Sequence, residues 1–254
     1  MSKQIDFYAE AYGKGLPPDD RMVKVLRLAN TLTAESLLDI GCGDGTISLA
    51  LKSAFGAKEV FGIEISAVGA EEARMKGIVC YELNVDDVSL PFRDSSVDAI
   101  YAGEIIEHLY DPDHLLDEIT RVLHPTGFAI IDTPNLAWWA DRLSLFFGYQ
   151  PQSTESSLRF GYAGKLITPS IAGGGGHLRI LTLRAFRKLL ERHGLNVRRI
   201  IGARGKTTSP TSLPPLLRPA YLAVDGVLSR FPSLSQFIIA VVDKSRRGPR
   251  RSAG

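Results

Sequence analysis

The chain contains few cysteines and no long apolar run, and these two shortages already restrict its class. Of its 254 residues only two are cysteine, Cys42 and Cys80, which is too few for the disulfide framework of a small secreted domain. No stretch of about 18 consecutive apolar residues occurs, so the sequence predicts no membrane-spanning helix. Residues 1–6 also lack the apolar segment of a secretory signal. A reduced, cytoplasmic protein is therefore expected.

The overall composition is that of an ordinary globular protein. Apolar residues make up 44% of the chain and charged residues 23%, which excludes an intrinsically disordered chain. The length fits one domain with additions, or at most two small domains.

Charges of opposite sign are segregated along the chain, although the formal net charge is only +2. Residues 1–183 contain 15 Lys and Arg against 25 Asp and Glu, whereas residues 184–254 contain 15 against 3. Residues 244–254 hold five basic residues and no acidic one. A solvated basic tail is the simplest interpretation. The alternative is contact of the basic C-terminal third with an anionic partner such as a membrane surface or nucleic acid.

Short apolar runs alternate with helical patterns between residues 35 and 133. This alternation predicts right-handed βαβ units and a parallel sheet with helices on both faces. A helical pattern with four aromatic residues, an amphipathic helix that starts at Thr182 and two further strands follow. The predicted strands are residues 36–40, 59–63, 78–81, 97–101, 128–132, 197–201 and 237–242.

The pattern divides the chain into four segments. Residues 1–34 are predicted to form an N-terminal arm and helix, and residues 35–204 a core domain. The core includes a polar, glycine-rich loop over residues 148–180, which we interpret as a lid. Residues 205–243 form a cap insertion and the last strand, and residues 244–254 the basic tail.

A glycine-rich turn follows the first predicted strand. Residues 37–45 read LLDIGCGDG, and a helical pattern begins directly after them. Glycines at such a turn let a ligand approach the backbone and permit positive φ, but dinucleotide sites look similar. Glu64 at the end of the second strand is placed to accept hydrogen bonds from ribose hydroxyls, and Asp86 after the third strand from an adenine amino group. An acid after the third strand is not part of the dinucleotide fingerprint, so a nicotinamide-dependent oxidoreductase is disfavoured.

Four segments together resemble the class I S-adenosylmethionine-dependent methyltransferases. They are residues 38–45 (LDIGCGDG), 62–66 (GIEIS), 90–98 (LPFRDSSVD) and 122–127 (VLHPTG). The resemblance is close up to residue 133, loose from there to residue 204, and says little about the substrate. It implies an α/β fold, a doubly wound seven-stranded Rossmann-like sheet with an antiparallel last strand. The cofactor S-adenosylmethionine is expected beyond the carboxyl ends of the central strands.

The same resemblance assigns residues to the cofactor. The glycine-rich loop is expected to surround its methionine part, Glu64 to hold its ribose, and Val85 and Asp86 to frame its adenine, with Asp87 as the alternative acid. The residues expected to bind the cofactor are Asp39, Gly41, Cys42, Gly43, Glu64, Ile65, Val85, Asp86 and Glu104.

Glu104, Glu107 and His108 follow the fourth predicted strand at spacing i, i+3, i+4. On a helix all three would project from one face. Two carboxylates and an imidazole suit a divalent cation, and without a metal His108 is a candidate general base for a substrate hydroxyl. A structural alternative is that Glu104 contacts the cofactor while the other two residues cap and pack.

A second, local resemblance concerns residues 133–135 (TPN) and 177–182 (HLRILT). Both are similar to segments of the small-RNA 3′-end 2′-O-methyltransferases and the ubiquinone-pathway O-methyltransferases. In the former, the matching motif binds a divalent metal, and a histidine five residues before a helix-starting threonine completes the set. The resemblance implies a divalent metal such as Mg²⁺ on Glu104, Glu107, His108 and His177, with Glu107, His108 and His177 catalytic.

The expected activity is methyl transfer from S-adenosylmethionine to a hydroxyl oxygen. A small-molecule, lipid-linked or sugar acceptor is preferred because a lipid-linked or sugar acceptor fits the basic C-terminal third, and RNA is disfavoured because no accessory RNA-binding domain is recognised. An RNA 3′ end is the first alternative acceptor, and a non-catalytic S-adenosylmethionine-binding module is the second alternative.

Two apolar features have less definite interpretations. Trp138, Trp139, Phe146 and Phe147 are predicted mainly to form the core side of a helix, with an acceptor pocket or a dimer contact as alternatives. Residues 216–222 are expected to pack on the sheet rather than to lie on a membrane.

Overall fold

The computed structural model describes residues 20–157, 159–161, 163–166, 176–205 and 214–244. Within these ranges the chain forms one seven-stranded sheet flanked by helices. The strands are β1 (Ser36–Ile40), β2 (Glu59–Glu64), β3 (Val79–Glu82), β4 (Val97–Gly103), β5 (Leu123–Pro134), β6 (Leu195–Ala203) and β7 (Phe237–Lys244). The α-helices are α1 (Asp20–Ala29), α2 (Thr46–Phe55), α3 (Ala67–Met75), α4 (Pro112–Val122), α5 (Trp139–Phe146), α6 (Leu183–Arg192) and α7 (Arg218–Leu228).

The strand order is β3-β2-β1-β4-β5-β7-β6. Strands β1 to β5 are parallel, and β7 runs antiparallel between β5 and β6. The predicted doubly wound sheet with an antiparallel last strand is confirmed. The order reverses between β1 and β4, and a crevice forms at such a reversal beyond the carboxyl ends of the strands.

Both faces of the sheet are buried, as the continuous apolar runs predict. Leu37 of β1 points into one cluster with Phe55 of α2, and α1 and α3 complete that layer. Leu38 points to the other face, where Leu116 of α4 and Phe186 of α6 pack. The two clusters fix the strands in register, so their carboxyl ends form a stable edge.

Side-chain caps define where the helices of this edge begin. Ser66 Oγ accepts from the Gly69 N–H, and Asp111 Oδ1 accepts from the His114 N–H. Thr182 Oγ1 accepts from the Ala185 N–H at the start of α6, as the sequence predicts. These bonds satisfy backbone donors that a helix start leaves unpaired.

The helix predicted from residue 135 begins four residues later, at Trp139. Asn135 is fully buried, and its Nδ2 donates to the Ser235 carbonyl at 2.8 Å while its Oδ1 accepts from the Ala137 N–H at 3.0 Å. These bonds hold the chain out of a helix until Trp138.

The interpretations of the two apolar features were largely wrong. Trp138 is buried, but the side chains of Phe146 and Phe147 are 81% and 61% exposed. Leu216 is 88% exposed rather than packed on the sheet. The physical reason is that polar residues of α5 and α7 occupy the inward positions of these helices.

Parts of the predicted segments lie outside the described residues. These are most of the N-terminal arm (1–19), the glycine run of the lid loop (167–175), the start of the cap insertion (206–213) and the basic tail beyond Lys244. Among the residues that are described, no helix is long and apolar enough to cross a membrane.

Gly45 and Gly56 allow strain and close packing to be tested separately. Both have left-handed backbones, with φ of 78° and 70°. A Cβ at Gly45 would lie 2.3 Å from Ile78 Cδ1, whereas one at Gly56 would meet nothing within 4 Å. Each Ala substitution should cost about 1–2 kcal/mol of backbone strain, and Gly45→Ala at least about 1 kcal/mol more through the clash. Urea denaturation measures both; equal losses would contradict the close packing at Gly45.

Candidate active site

The bend between β1 and α2 is held against the end of β2. Gly41, Gly43 and Gly45 all have positive φ, at 78°, 54° and 78°. The N–H groups of Gly41 and Cys42 both donate to the Ile63 carbonyl, at 2.8 and 3.0 Å. A Cβ at Gly43 would meet nothing within 4 Å, so the bend has open space above it.

Glu64, the last residue of β2, faces this bend. Its Oε2 accepts from the Gly43 N–H and its Oε1 from the Ser66 N–H, both at 2.8 Å. An ionised carboxylate has about four acceptor positions, and the side chain is only half-buried. Glu64 therefore keeps acceptor capacity for two ribose hydroxyls, and the residues present fit a nucleoside cofactor. Ile65, next in the chain, is 67% exposed.

Asp39 lies beneath the bend rather than in it. Its side chain is buried, and its Oδ2 accepts from Ser48 Oγ at 2.5 Å, which ties β1 to α2. Burial raises the pKa of Asp39 to about 7, opposed by the hydrogen bond from Ser48.

Cys42 and Cys80 form a buried pair of free thiols behind the bend. Their sulfur atoms are 3.5 Å apart, and burial raises the pKa of both thiols. A raised pKa disfavours the reactive thiolate, so the two residues act through packing.

Asp86 joins two elements of the carboxyl edge. Its carboxylate accepts the backbone N–H groups of Tyr110 and Asp111, at 3.2 and 3.0 Å. Val85 before it is buried in the core. Asp87, the alternative acid, accepts only from Asn84 in its own turn. Of the two acids, Asp86 therefore lies where strand ends meet.

Sequence reasoning missed a buried ion network at the ends of β4 and β5. Arg21 of α1 donates to Asp132 at 2.8 Å and to the Tyr101 hydroxyl at 3.1 Å, and it pairs with Glu104. Tyr101 also donates to Asp132 at 2.8 Å, and burial raises the pKa of its hydroxyl well above the usual value. One signal was available, since Asp132 is the only acid in the apolar run of β5.

Glu104 does not share a helix face with Glu107 and His108, so that expectation was wrong. Only Ile106–His108 is helical, as one 3₁₀ turn. Glu104 has a left-handed backbone, with φ of 53°. Its N–H still continues the hydrogen bonding between β4 and β5, because it donates to the Asp132 carbonyl at 3.0 Å. This left-handed residue turns the chain away from the strand before the 3₁₀ turn begins.

Glu107, His108 and His177 come together, with one candidate ligand atom of each within 4.8 Å of the others. The chain before α6 reaches this place because the N–H groups of Leu178 and Arg179 donate to the Glu107 carbonyl, at 2.7 and 3.0 Å. Within the described residues, Glu104 is outside this three-residue group.

The Glu107 carboxyl is fully buried and only half satisfied. Its Oε2 accepts from Thr133 Oγ1 at 3.0 Å, whereas its Oε1 has no hydrogen-bond partner and lies 4.0 Å from His108 Nε2. Burial raises the pKa of Glu107 to about 8, and the nearby charge of Glu104 adds to the shift. A buried, unsatisfied carboxyl oxygen is costly unless a ligand or cation completes it.

Both histidines are oriented by backbone carbonyls. Nδ1 of His108 lies 3.3 Å from the Gly176 oxygen, and Nδ1 of His177 lies 2.8 Å from the Ser153 oxygen. A carbonyl only accepts, so each neutral ring carries its proton on Nδ1 and keeps a lone pair on Nε2. Burial and the neighbouring His177 lower the pKa of His108. One carboxyl oxygen and two imidazole nitrogens are a donor set that fits a divalent metal.

Part of the predicted lid loop forms a wall beside the histidines. Buried Asp141 accepts from the Gln152 N–H at 2.6 Å and from Ser153 Oγ at 2.7 Å. Glu155 accepts from the Gly176 N–H at 3.0 Å. The loop is thus tied both to α5 and to the segment that contacts the rings.

The buried Asp39 gives the site a defined pH dependence. Because its folded pKa, about 7, exceeds the usual 3.8, the stability it contributes is complete below about pH 4 and is lost as the pH rises through about 7. Asp39→Asn removes this titration. The free energy of unfolding of the variant should therefore rise relative to the wild type between about pH 4 and 8. Asp94→Asn, at a position 78% exposed, is the control; denaturant titrations showing equal pH slopes for both variants would refute the shift.

Known proteins are similar to this chain over the region that contains the glycine bend and Glu64. Residues 38–131 match the family described as Methyltransferase domain. A Mycobacterium tuberculosis protein named probable S-adenosylmethionine-dependent methyltransferase is 32% identical over 111 residues, covering 43% of this chain and 39% of that protein. The 27-O-demethylrifamycin SV methyltransferase of Amycolatopsis mediterranei is 33% identical over 117 residues, covering 42% and 40%. The chain thus spans about two fifths of the length of these relatives.

The fold agrees over a longer stretch. A solved S-adenosylmethionine-dependent methyltransferase of Thermotoga maritima has a TM-score of 0.58 and 18% identity, covering 89% of this chain and 90% of that one. At 18% identity, the similarity to this structure shows a shared fold and nothing more. The matched region, residues 38–131, covers the strands and turns that build the glycine bend and the end of β2, and over this region the chain is similar to S-adenosylmethionine-dependent methyltransferases.

Proposed function

We propose that this protein transfers the methyl group of S-adenosylmethionine to a hydroxyl oxygen of a small-molecule, lipid-linked or sugar acceptor. The observation that supports this most is the group of Glu107, His108 and His177 beside the glycine bend. A Cβ at Gly41 would lie 3.1 Å from Ile105 Cδ1, so the bend contacts the segment that leads directly into the 3₁₀ turn. The proposed methyl-donor site and the proposed acceptor site are therefore adjacent.

The chain's own residues bind and orient the donor. Gly41, Gly43 and Gly45 open the bend, Glu64 accepts from the ribose hydroxyls, and Asp86 lies at the strand end where adenine is expected. Bound S-adenosylmethionine supplies a methyl group on a sulfonium, a leaving group that is already activated. The protein's contribution is then orientation of the two reactants and removal of the acceptor proton.

In the absence of a bound metal, His108 is the residue that takes this proton. Its lowered pKa keeps the ring neutral, its Nδ1–H is committed to the Gly176 carbonyl, and Nε2 is left as the base. In its ionised form Glu107, whose Oε1 lies 4.0 Å from Nε2, stabilises the imidazolium that forms. The relative named for 27-O-demethylrifamycin supports an oxygen acceptor.

A divalent cation would be held by Glu107, His108 and His177, and it would lower the pKa of the acceptor hydroxyl. With one carboxyl and two imidazoles, this donor set suits Mn²⁺, Fe²⁺ or Zn²⁺ better than Mg²⁺, the example that the second resemblance implied. Glu104 remains a predicted ligand from the second resemblance, although Arg21 already pairs with it.

Glu64 tests the donor site. Glu64→Gln should weaken binding of S-adenosylmethionine and its demethylated product by about 10- to 100-fold, because charge-assisted hydrogen bonds to the ribose are lost. Glu59→Gln, at the exposed start of the same strand, is the matched control and should bind normally. Isothermal titration calorimetry gives both dissociation constants; unchanged binding by Glu64→Gln would remove the ribose assignment.

His177 tests the acceptor site. Acceptor pools of small molecules, lipid extracts and RNA 3′ ends are incubated with a methyl-labelled donor, with added Mn²⁺ or with a chelator. His177→Ala should lower kcat by at least about tenfold and abolish the response to metal, with donor binding unchanged. His124→Ala, beside Thr126 at the start of β5, should retain both. If His177→Ala has the turnover and metal response of the wild type, Glu107, His108 and His177 do not form the acceptor site. If the label appears only on RNA, the acceptor is an RNA 3′ end and not a small molecule, lipid or sugar.

A further inference from the structure

Helix α5 buries two polar side chains and exposes three of its large apolar side chains, including Leu143 at 46%. Asp141 is fully buried and Ser144 is 3% exposed, whereas Leu145 is 55% and Phe146 81% exposed. Phe147, directly after the helix, is 61% exposed. A surface helix of a globular protein normally has the opposite arrangement.

Helix α7 shows the same inversion. Asp225, its only acid, is fully buried, and Leu222, Val224 and Val227 are 43%, 44% and 53% exposed. Leu216, in the 3₁₀ turn that leads into the helix, is 88% exposed. Two neighbouring elements thus have inverted amphipathicity.

The buried Asp225 joins the two helices. Its Oδ1 accepts from the indole N–H groups of Trp138 and Trp139, at 3.2 and 2.9 Å. The rings of Trp139 and Tyr221 also pack, with centroids 5.2 Å apart. Because the two helices are joined, we consider their exposed apolar side chains together and call them the apolar surface: Phe146, Phe147, Leu216, Leu217, Leu222 and Val227. Exposed apolar patches mark interaction sites.

The apolar surface lies at the same edge of the sheet as the candidate active site. Helix α5 follows the carboxyl end of β5, and α7 precedes β7. Pro134, the last residue of β5, pairs with Phe237, the first residue of β7. Both helices therefore connect to strand ends at the carboxyl edge.

The sequence from residue 204 onward is rich in positive charge. Residues 204–254 contain nine Lys and Arg but only two acids, Asp225 and Asp243. Asp225 is buried, and the carboxylate of Asp243 is bound by Arg198 at 2.5 Å. Exposed Arg142 donates to the carbonyls of Ala137 and Ser233 and keeps its charge. The side chains of both acids are thus already hydrogen-bonded within the fold.

A basic groove borders the apolar surface. Arg27, Arg199 and Arg230 line a cavity of about 590 Å³ between α1, β6 and the turn after α7. None of these three guanidiniums has an ion-pair partner among the described residues. Arg230 lies two residues after the end of α7 and is followed by the exposed Phe231, so the groove reaches the C-terminal end of that helix. Guanidinium groups bind phosphate oxygens through paired hydrogen bonds.

We propose that the apolar surface docks the protein on an anionic lipid bilayer. The exposed side chains of α5 and α7 enter the boundary between headgroups and acyl chains, and the groove arginines contact lipid phosphates. A second copy of the chain fits less well, because a two-fold interface would bring the same positive charges together. The proposal concerns binding, not turnover, and does not depend on the acceptor.

The protein contains its own probe for this docking. Its only two tryptophans, Trp138 and Trp139, lie directly beneath the apolar surface. Full-length protein is mixed with vesicles of phosphatidylglycerol or of phosphatidylcholine, each with or without bromine-labelled acyl chains. Flotation measures binding, and quenching of tryptophan fluorescence by bromine measures insertion. Phosphatidylglycerol vesicles should bind, quench and release the protein as ionic strength rises; phosphatidylcholine should bind at least about tenfold more weakly.

Paired variants separate the apolar and electrostatic contributions. Phe146→Gln and Leu216→Gln should each weaken binding to phosphatidylglycerol vesicles by about tenfold or more, and Arg230→Glu should weaken it by about fivefold or more. Met75→Gln on α3, where Met75 is 73% exposed, and Arg187→Glu on α6 carry the same chemical changes and should bind as wild type. Because all five positions are exposed, circular dichroism should show unchanged folding.

Three results would overturn the proposal. One is no binding of the wild type to phosphatidylglycerol vesicles. Another is binding without quenching by bromine, which would place the tryptophans away from the acyl chains. The third is self-association in sedimentation velocity that Phe146→Gln and Leu216→Gln abolish while vesicle binding is unaffected, because the occupant would then be a second copy of the chain.

Discussion

The carboxyl edge of the sheet depends on one buried guanidinium. Arg21 reaches from α1 to Asp132 on β5 and to the hydroxyl of Tyr101 on β4, and it also pairs with Glu104. Removing any one carboxylate would leave a charge in the interior with less compensation, which is strongly destabilising. Glu104 then turns the chain into the segment that contains Glu107. The same electrostatic unit thus joins the first helix, two central strands and the start of the candidate acceptor site.

Much of the fold follows from local patterns in the sequence. Parallel strands buried on both faces must be continuously apolar, so β1 and β4 are recognisable without any tertiary information. The glycine bend is equally local, since three glycines between a strand and a helix permit the left-handed backbone that the turn requires. The residues around Glu64 were predictable for the same reason: the strand end and the bend are near in the chain, and parallel order brings them together.

Other features depend on contacts that no local pattern encodes. Arg21 and its partner Asp132 are 111 positions apart, and an arginine on an amphipathic helix is normally assigned to solvent. The spacing of Glu104, Glu107 and His108 is helical, but the left-handed residue at 104 breaks the helix before it starts. Periodicity also shows that α5 and α7 are two-sided without showing which side faces the protein. Asp141 and Asp225 decide this, because both are hydrogen-bonded inside the fold.

The wall beside the histidines has a consequence for how the site is assembled. Ser153 contributes the carbonyl that fixes the ring proton of His177, and Ser153 itself is anchored by Asp141. Glu155 holds Gly176, whose carbonyl fixes the ring of His108. If this wall moves aside, both imidazoles lose the acceptor that selects their tautomer. One short loop segment therefore sets the ring orientation of both histidines, and its displacement would release the two rings together.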